Sequence, residues 1–208
     1  HFIEHMIFKG TRRRSSLDIA RELDAVGGLS NAFTGKESTC IHGRVLDRHF
    51  PRLVDILSDL FLQSVFDREE MNREKQVILQ EISMVEDTPE EYVHLLHGRH
   101  CWPDHPIGMS VLGSGESVAS FDQDLLLDFY RRYYTPERVI IAAAGNIRHE
   151  DLLAAVRPLF ERLPPGTGNG EEQAPALHPG TFCYPKELEQ VHVCLGGRAP
   201  ELTSRDRL

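Results

Sequence analysis

Two histidines and a glutamate stand at the start of the chain in a spacing that suits metal-assisted chemistry on water. The run is His1-Phe2-Ile3-Glu4-His5-Met6-Ile7-Phe8-Lys9-Gly10-Thr11. In a helix, residues four apart lie one above the other on the same face, so His1 and His5 can grip one divalent ion. Glu4 sits beside His5, where its carboxylate can reach a water on that ion without becoming a ligand itself. This is the order H-x-x-E-H, the reverse of H-E-x-x-H. Two solvated histidines on a surface helix would give the same five letters, so the pattern gains its meaning from a third ligand elsewhere. A catalytic zinc site commonly takes three protein ligands and leaves the fourth position open. The ion then lowers the pKa of water towards about 7 and polarises a carbonyl.

The third ligand has to come from an element that packs against the first helix. The longest helical pattern, about Asp67 to Glu86, contains no Gly or Pro; Asp67 can cap it, and Val77, Ile78, Ile82 and Val85 give it an apolar stripe. Glu74 and Glu81 are seven residues apart on it, nearly two turns, so both carboxylates project from one face. Glu81 is the candidate ligand. Glu74 would hydrogen-bond a ligand or the water, and Glu4 would take the proton from water and return it to the leaving amine.

Around these helices the pattern predicts a mixed α+β fold. A helix over His1–Phe8 stops at Gly10. Ser15 or Ser16 caps a second, Leu17–Val26, with Leu17, Ala20 and Leu23 on its buried stripe. Ser30–Thr34 and Ser38–Leu46 read as a hairpin joined at Gly35-Lys36. Further helices cover Asp47–Gln63, Pro89–His100, Gln123–Tyr134 and His149–Arg162, and Val139–Ala144 reads as a buried strand. Residues 164–180, with Pro164-Pro165-Gly166 and Gly168-Asn169-Gly170, have a linker's composition. Beyond it Thr181–Tyr184 and Gln190–Leu195 read as strands opening a second domain, cut off at Leu208. The expected division is therefore 1–163, a linker at 164–180, and the truncated start of a second domain at 181–208.

A formal charge of −9 argues against a nucleic-acid binder, which needs a basic face. No apolar run reaches about 18 residues, so no membrane span is expected. Cys40, Cys101, Cys183 and Cys194 form no C-x-x-C pair; read as free thiols, they point weakly to the cytoplasm or another reducing compartment. His94, His97, His100, Cys101 and His105 make a second metal-like cluster, but Gly98 and Trp102-Pro103 interrupt its helix. Arg12-Arg13-Arg14 reads as a solvated turn.

The wider sequence is similar to one known family. His1 to Thr11 closely resembles the zinc-binding helix of the pitrilysin and mitochondrial-processing-peptidase family, and Glu74-Lys-Gln-Val-Ile-Leu-Gln-Glu81 resembles its later E-x6-E helix. Gly27-Gly28-Leu29-Ser30-Asn31-Ala32-Phe33-Thr34 is similar to its G-G-x-x-N-A-x-T strand, and His105-Pro106-Ile107-Gly108 to its H-P-x-G loop. Tyr134-Thr135-Pro136, Ala144-Gly145-Asn146 and Glu189 to Val193 continue the resemblance in order. It implies His1, His5 and Glu81 as ligands of one Zn2+, Glu4 as general base and Glu74 as a supporting glutamate. Asn31 and Ala32 match a strand edge that aligns an extended substrate. The implied fold is an antiparallel sheet with helices packed mainly on one face, duplicated along the chain; one or two strands normally precede the zinc helix. The implied activity is zinc endopeptidase hydrolysis of peptides or unfolded segments, without an acyl-enzyme. The cleavage would occur in a chamber closed by a second half of the same chain or a homologous subunit. The alternative is a non-catalytic subunit that shapes such a chamber; those usually lack one or more of the five site residues, and all five are present here.

Overall fold

The computed structural model describes residues 1–166, 174–201 and 203–205. In chain order the elements are α1 (Phe2–Ile7), α2 (Ser16–Ala25), β1 (Leu29–Thr34), β2 (Thr39–Arg44), α3 (Phe50–Gln63), α4 (Arg68–Asp87), α5 (Pro89–Cys101), α6 (Gly115–Ser120), α7 (Gln123–Tyr133) and α8 (His149–Phe160). Short 3-10 turns lie at Asp47–His49, Pro106–Gly108 and Pro136–Arg138. The fold is mixed α+β, mostly helical, with one small antiparallel sheet among the described residues.

A helix of six residues cannot sustain itself in water, because nucleation costs more than so few hydrogen bonds return. Burial fixes α1 instead: Phe2, Ile3, Met6 and Ile7 are all inside. Phe2, Ile3 and Met6 join Phe66, Met71, Ile78, Val118 and Leu126 in one apolar cluster, whereas Ile7 joins Ile19, Ile56 and Leu60 in another. α1 is thus a wall shared by two cores. Each fully buried side chain of this size contributes about 1.5–3 kcal/mol, so four of them outweigh the helix's weak intrinsic tendency.

α4 supplies the long straight element against α1. Asp67 caps it by accepting hydrogen bonds from the Glu69 and Glu70 amides, and twenty residues give it a length of about 30 Å. Its inner face runs through Met71, Glu74 and Ile78, while Val77, expected inside, is 40% exposed.

The hairpin pairs Leu29 with Arg44 through to Thr34 with Thr39, and the Gly35 amide closes its turn on the Ser38 carbonyl at 2.8 Å. Alternation places Ala32, Thr34, Thr39 and Ile41 on the covered face and Asn31, Phe33 and His42 towards solvent. α3 lies close over this face at Gly43: a Cβ there would come within 2.5 Å of Leu53. Helices therefore cover one side of the sheet.

Three expected strands are not formed. Val139–Ala144, expected to be buried, is extended without ladder partners and Ile140 is 93% exposed. Thr181–Tyr184 and Gln190–Leu195 likewise show no pairing, with Val191 90% and Leu195 91% exposed. Strand propensity cannot express itself without a neighbouring strand to take up amides and carbonyls, and none lies beside these segments among the described residues. Of the expected linker, 167–173 fall outside the described residues. α6 is an element the periodicity missed; Ser114 and Ser117 form its capping box.

Two local expectations change in detail. In α2, Ser15 accepts from the Asp18 amide and Asp18 bonds back, which sets the helix so that Ile19 is the buried residue and Leu17 is 55% exposed. Arg14 is not solvated: its guanidinium meets Glu22 at 2.7 Å, Asp59 at 2.6 Å and Asp55.

Candidate metal centre

α1 presents His1 and His5 one turn apart, and α4 brings Glu81 opposite them. The His1 and His5 Nε2 atoms are 3.3 Å apart, and Glu81 Oε2 is 3.5 Å from each. Zinc held about 2.0–2.1 Å from tetrahedral donors spaces those donors about 3.3–3.4 Å from one another. The three atoms therefore already form a face that zinc fits. Among the described residues this is the one group of three or more His, Cys, Asp or Glu side chains gathered so closely.

The other ring nitrogen of His5 decides its tautomer. His5 Nδ1 is 2.9 Å from Glu74 Oε2, and a carboxylate there calls for the proton on Nδ1, leaving the Nε2 lone pair aimed at Glu81 and His1. Glu74 is buried, and Lys9 Nζ meets its second oxygen at 2.5 Å. Burial works against that carboxylate, but the hydrogen bonds from Lys9 and His5 prevail and hold its pKa below the ordinary glutamate value. His1 Nδ1 is buried without a hydrogen-bond partner among the described residues.

Glu4 is on the same helix but turned towards the hairpin, where the Thr34 hydroxyl donates to its Oε2 at 2.5 Å. Asn31 is exposed on β1, and its Oδ1 accepts from the Ala32 amide at 2.9 Å. β1 pairs with β2 alone, so its other edge carries no strand among the described residues. All seven residues singled out in the sequence lie on α1, its N-cap, α4 or β1, and the structure brings His1, His5 and Glu81 into mutual contact, with Glu74 against His5. Thr34 and Lys9 were not singled out. Thr34 closes the strand motif and Lys9 the helix motif, but nothing in their spacing tells that one meets Glu4 and the other Glu74.

The second histidine cluster does not assemble. His94 Nδ1 is 3.6 Å from Cys194 Sγ, His97 Nε2 is 3.5 Å from Cys101 Sγ, and His100 stacks on Phe182. His105 Nδ1 accepts from the Ile107 amide in the loop after α5. All four cysteines are free.

α1 with its H-x-x-E-H and α4 with its distant glutamate stand beside an antiparallel hairpin, an arrangement whose donors fit a metal ion. Residues 1–115 match the family model for insulinase (peptidase family M16), and residues 120–208 match that for the peptidase M16 inactive domain. The chain belongs to peptidase family M16. It is 41% identical over 202 residues to an uncharacterized zinc protease of Bacillus subtilis, covering 97% of this chain and 49% of that one. An uncharacterized zinc protease of Streptomyces coelicolor is also 41% identical, over 94% of this chain and 44% of its own. The chain spans about half the length of these curated relatives. Its fold is similar to that of part of pitrilysin, with a TM-score of 0.72 at 22% identity over 86% of this chain and 20% of pitrilysin's. No helix among the described residues is long and apolar enough to cross a membrane.

Proposed function

We propose that this chain carries the metal- and water-handling part of a zinc endopeptidase that cleaves peptides or unfolded segments. The observation that supports it most is the triangle of donor atoms on His1, His5 and Glu81, with Glu4 one residue from His5 and outside the triangle. Zinc held there would supply Lewis acidity, lowering the pKa of water and polarising the scissile carbonyl. Glu4 accepts the proton of the attacking water and delivers it to the departing amine. Glu74 fixes the His5 ring through Nδ1. The open edge of β1 at Asn31 and Ala32 takes the substrate as an added strand, which holds its backbone extended beside Glu4. A second half of the protein or a homologous subunit closes the chamber, as the match to the M16 inactive domain suggests. A non-catalytic chamber subunit would need no complete ligand set, and the convergence of all three donors favours the catalytic reading.

The test is zinc content with cleavage of a quenched basic peptide, in the full-length protein. Glu4→Gln should keep about one zinc per chain and lose about 10²–10⁴-fold in kcat, whereas Glu81→Ala should lose the metal. An active Glu4→Gln protein would remove Glu4 from the mechanism. Full zinc in Glu81→Ala would remove the ligand assignment.

A further inference from the structure

The last pair in the hairpin register sets Thr34 against Thr39, with both hydroxyls on the covered face of the sheet. Thr34 Oγ1 donates to Glu4, and its oxygen is 3.3 Å from Thr39 Oγ1. Tyr134 ends α7. The Tyr134 ring stacks on Tyr130 at 4.4 Å, and Tyr130 packs edge-on against Phe66 in the apolar cluster beneath α1.

A threonine has one hydroxyl proton. Thr34 gives its proton to the carboxylate, so the 3.3 Å contact is made by Thr39 donating to Thr34. Both protons then point towards Glu4, and one bond polarises the other.

We propose that Thr34, backed by Thr39, is the positioning residue for Glu4. It occupies one carboxylate oxygen and leaves the other for the proton of the attacking water. This rests on Glu4 acting as the base. It also gives β1 a double duty, since Asn31 and Ala32 on the same strand present the substrate edge. The base and the substrate backbone are held by one rigid element, which fixes their separation.

In full-length, zinc-loaded protein, Thr34→Val should lower kcat about 10–100-fold, the usual cost of losing an outer hydrogen bond to a site residue. KM should stay within about twofold, with zinc content and melting temperature unchanged. Thr34→Ser, which keeps the hydroxyl, should recover most of the rate. Thr39→Val should lower kcat less, in the same direction. In a Glu4→Gln background, Thr34→Val should add no further loss, because the group it positions is gone. In metal-free protein the Glu4 carboxylate stretch, isolated as the infrared difference between wild type and Glu4→Gln, should shift on Thr34→Val. An unchanged kcat and stretch in Thr34→Val, or an equal loss in both backgrounds, would overturn the positioning role. A fully active Glu4→Gln protein would instead overturn the reading of Glu4 on which the role depends.

Discussion

Arg14 shows how much a single side chain can hold together. Its side chain is 5% exposed, and it faces Glu22, Asp55 and an Asp59 side chain that is wholly buried. Thr11 adds a hydrogen bond to Asp59 at 2.8 Å. Removing the cation leaves the buried Asp59 with no close cation, so Arg14→Met should lower unfolding free energy by about 3–5 kcal/mol, read from the urea midpoint at neutral pH. Arg14→Lys should restore only part of this, since one ammonium cannot fork to three carboxylates. The same cluster predicts acid sensitivity. Burial raises the Asp55 pKa, but hydrogen bonds from Arg13 and Arg14 outweigh it and hold the folded value below the ordinary one. The stabilisation is therefore present above the unfolded pKa of about 3.9 and is lost as pH falls through the folded value. Melting temperature should drop more steeply below about pH 4 in wild type than in Arg14→Met. Nothing in Arg12-Arg13-Arg14 distinguishes the buried arginine from its exposed neighbours. Its partners are on α2 and α3, and contacts between residues so far apart leave no local pattern. His1, Glu4 and His5 were legible because helical spacing alone puts them together, and Glu81 because a seven-residue repeat with Glu74 places it on the inner face. Thr34 and Lys9 were hidden for the same reason as Arg14.

At the scale of elements, α1 combines a ligand pair with membership in two cores. Met6 is fully buried one residue from His5, so Met6→Ala should cost about 2–5 kcal/mol and weaken zinc retention although it touches no ligand. Parallel urea and zinc-chelation titrations would separate this from a purely global effect: a loss of stability with unchanged zinc affinity would mean that the helix stays in place without its core anchor. Caps and periodicity made α2, α4, α5, α7 and α8 readable in the sequence, since both signals are local. The rotation of α2 was not, because Leu17, Ile19 and Leu23 are all apolar and only the Ser15–Asp18 capping box decides which of them turns inward. Val139–Ala144 failed for a different reason: its residues favour a strand, but a strand is a relation between two segments, and no partner pairs with it among the described residues.

At the scale of the whole molecule, order is uneven. α1, α3 and α4 enclose both cores, whereas the extended segments at 139–144 and 190–195 expose their apolar side chains. Amide hydrogen exchange on the 208-residue chain should be slowest in α3 and α4 and fast through both extended segments. Strong protection at 139–144 would show that it has found a pairing partner. Charge is uneven too. The chain is acidic, at −9 overall, yet the buried carboxylate of Glu74 is answered at once by Lys9. A dication between the histidines and Glu81 would consequently meet one uncompensated ligand charge, with that of Glu74 cancelled behind it, and would keep more of its pull on bound electrons. Affinity and reactivity are therefore set against each other at this lysine. Lys9→Met should tighten zinc binding while slowing turnover, a pair of opposite changes that damage to the fold could not produce.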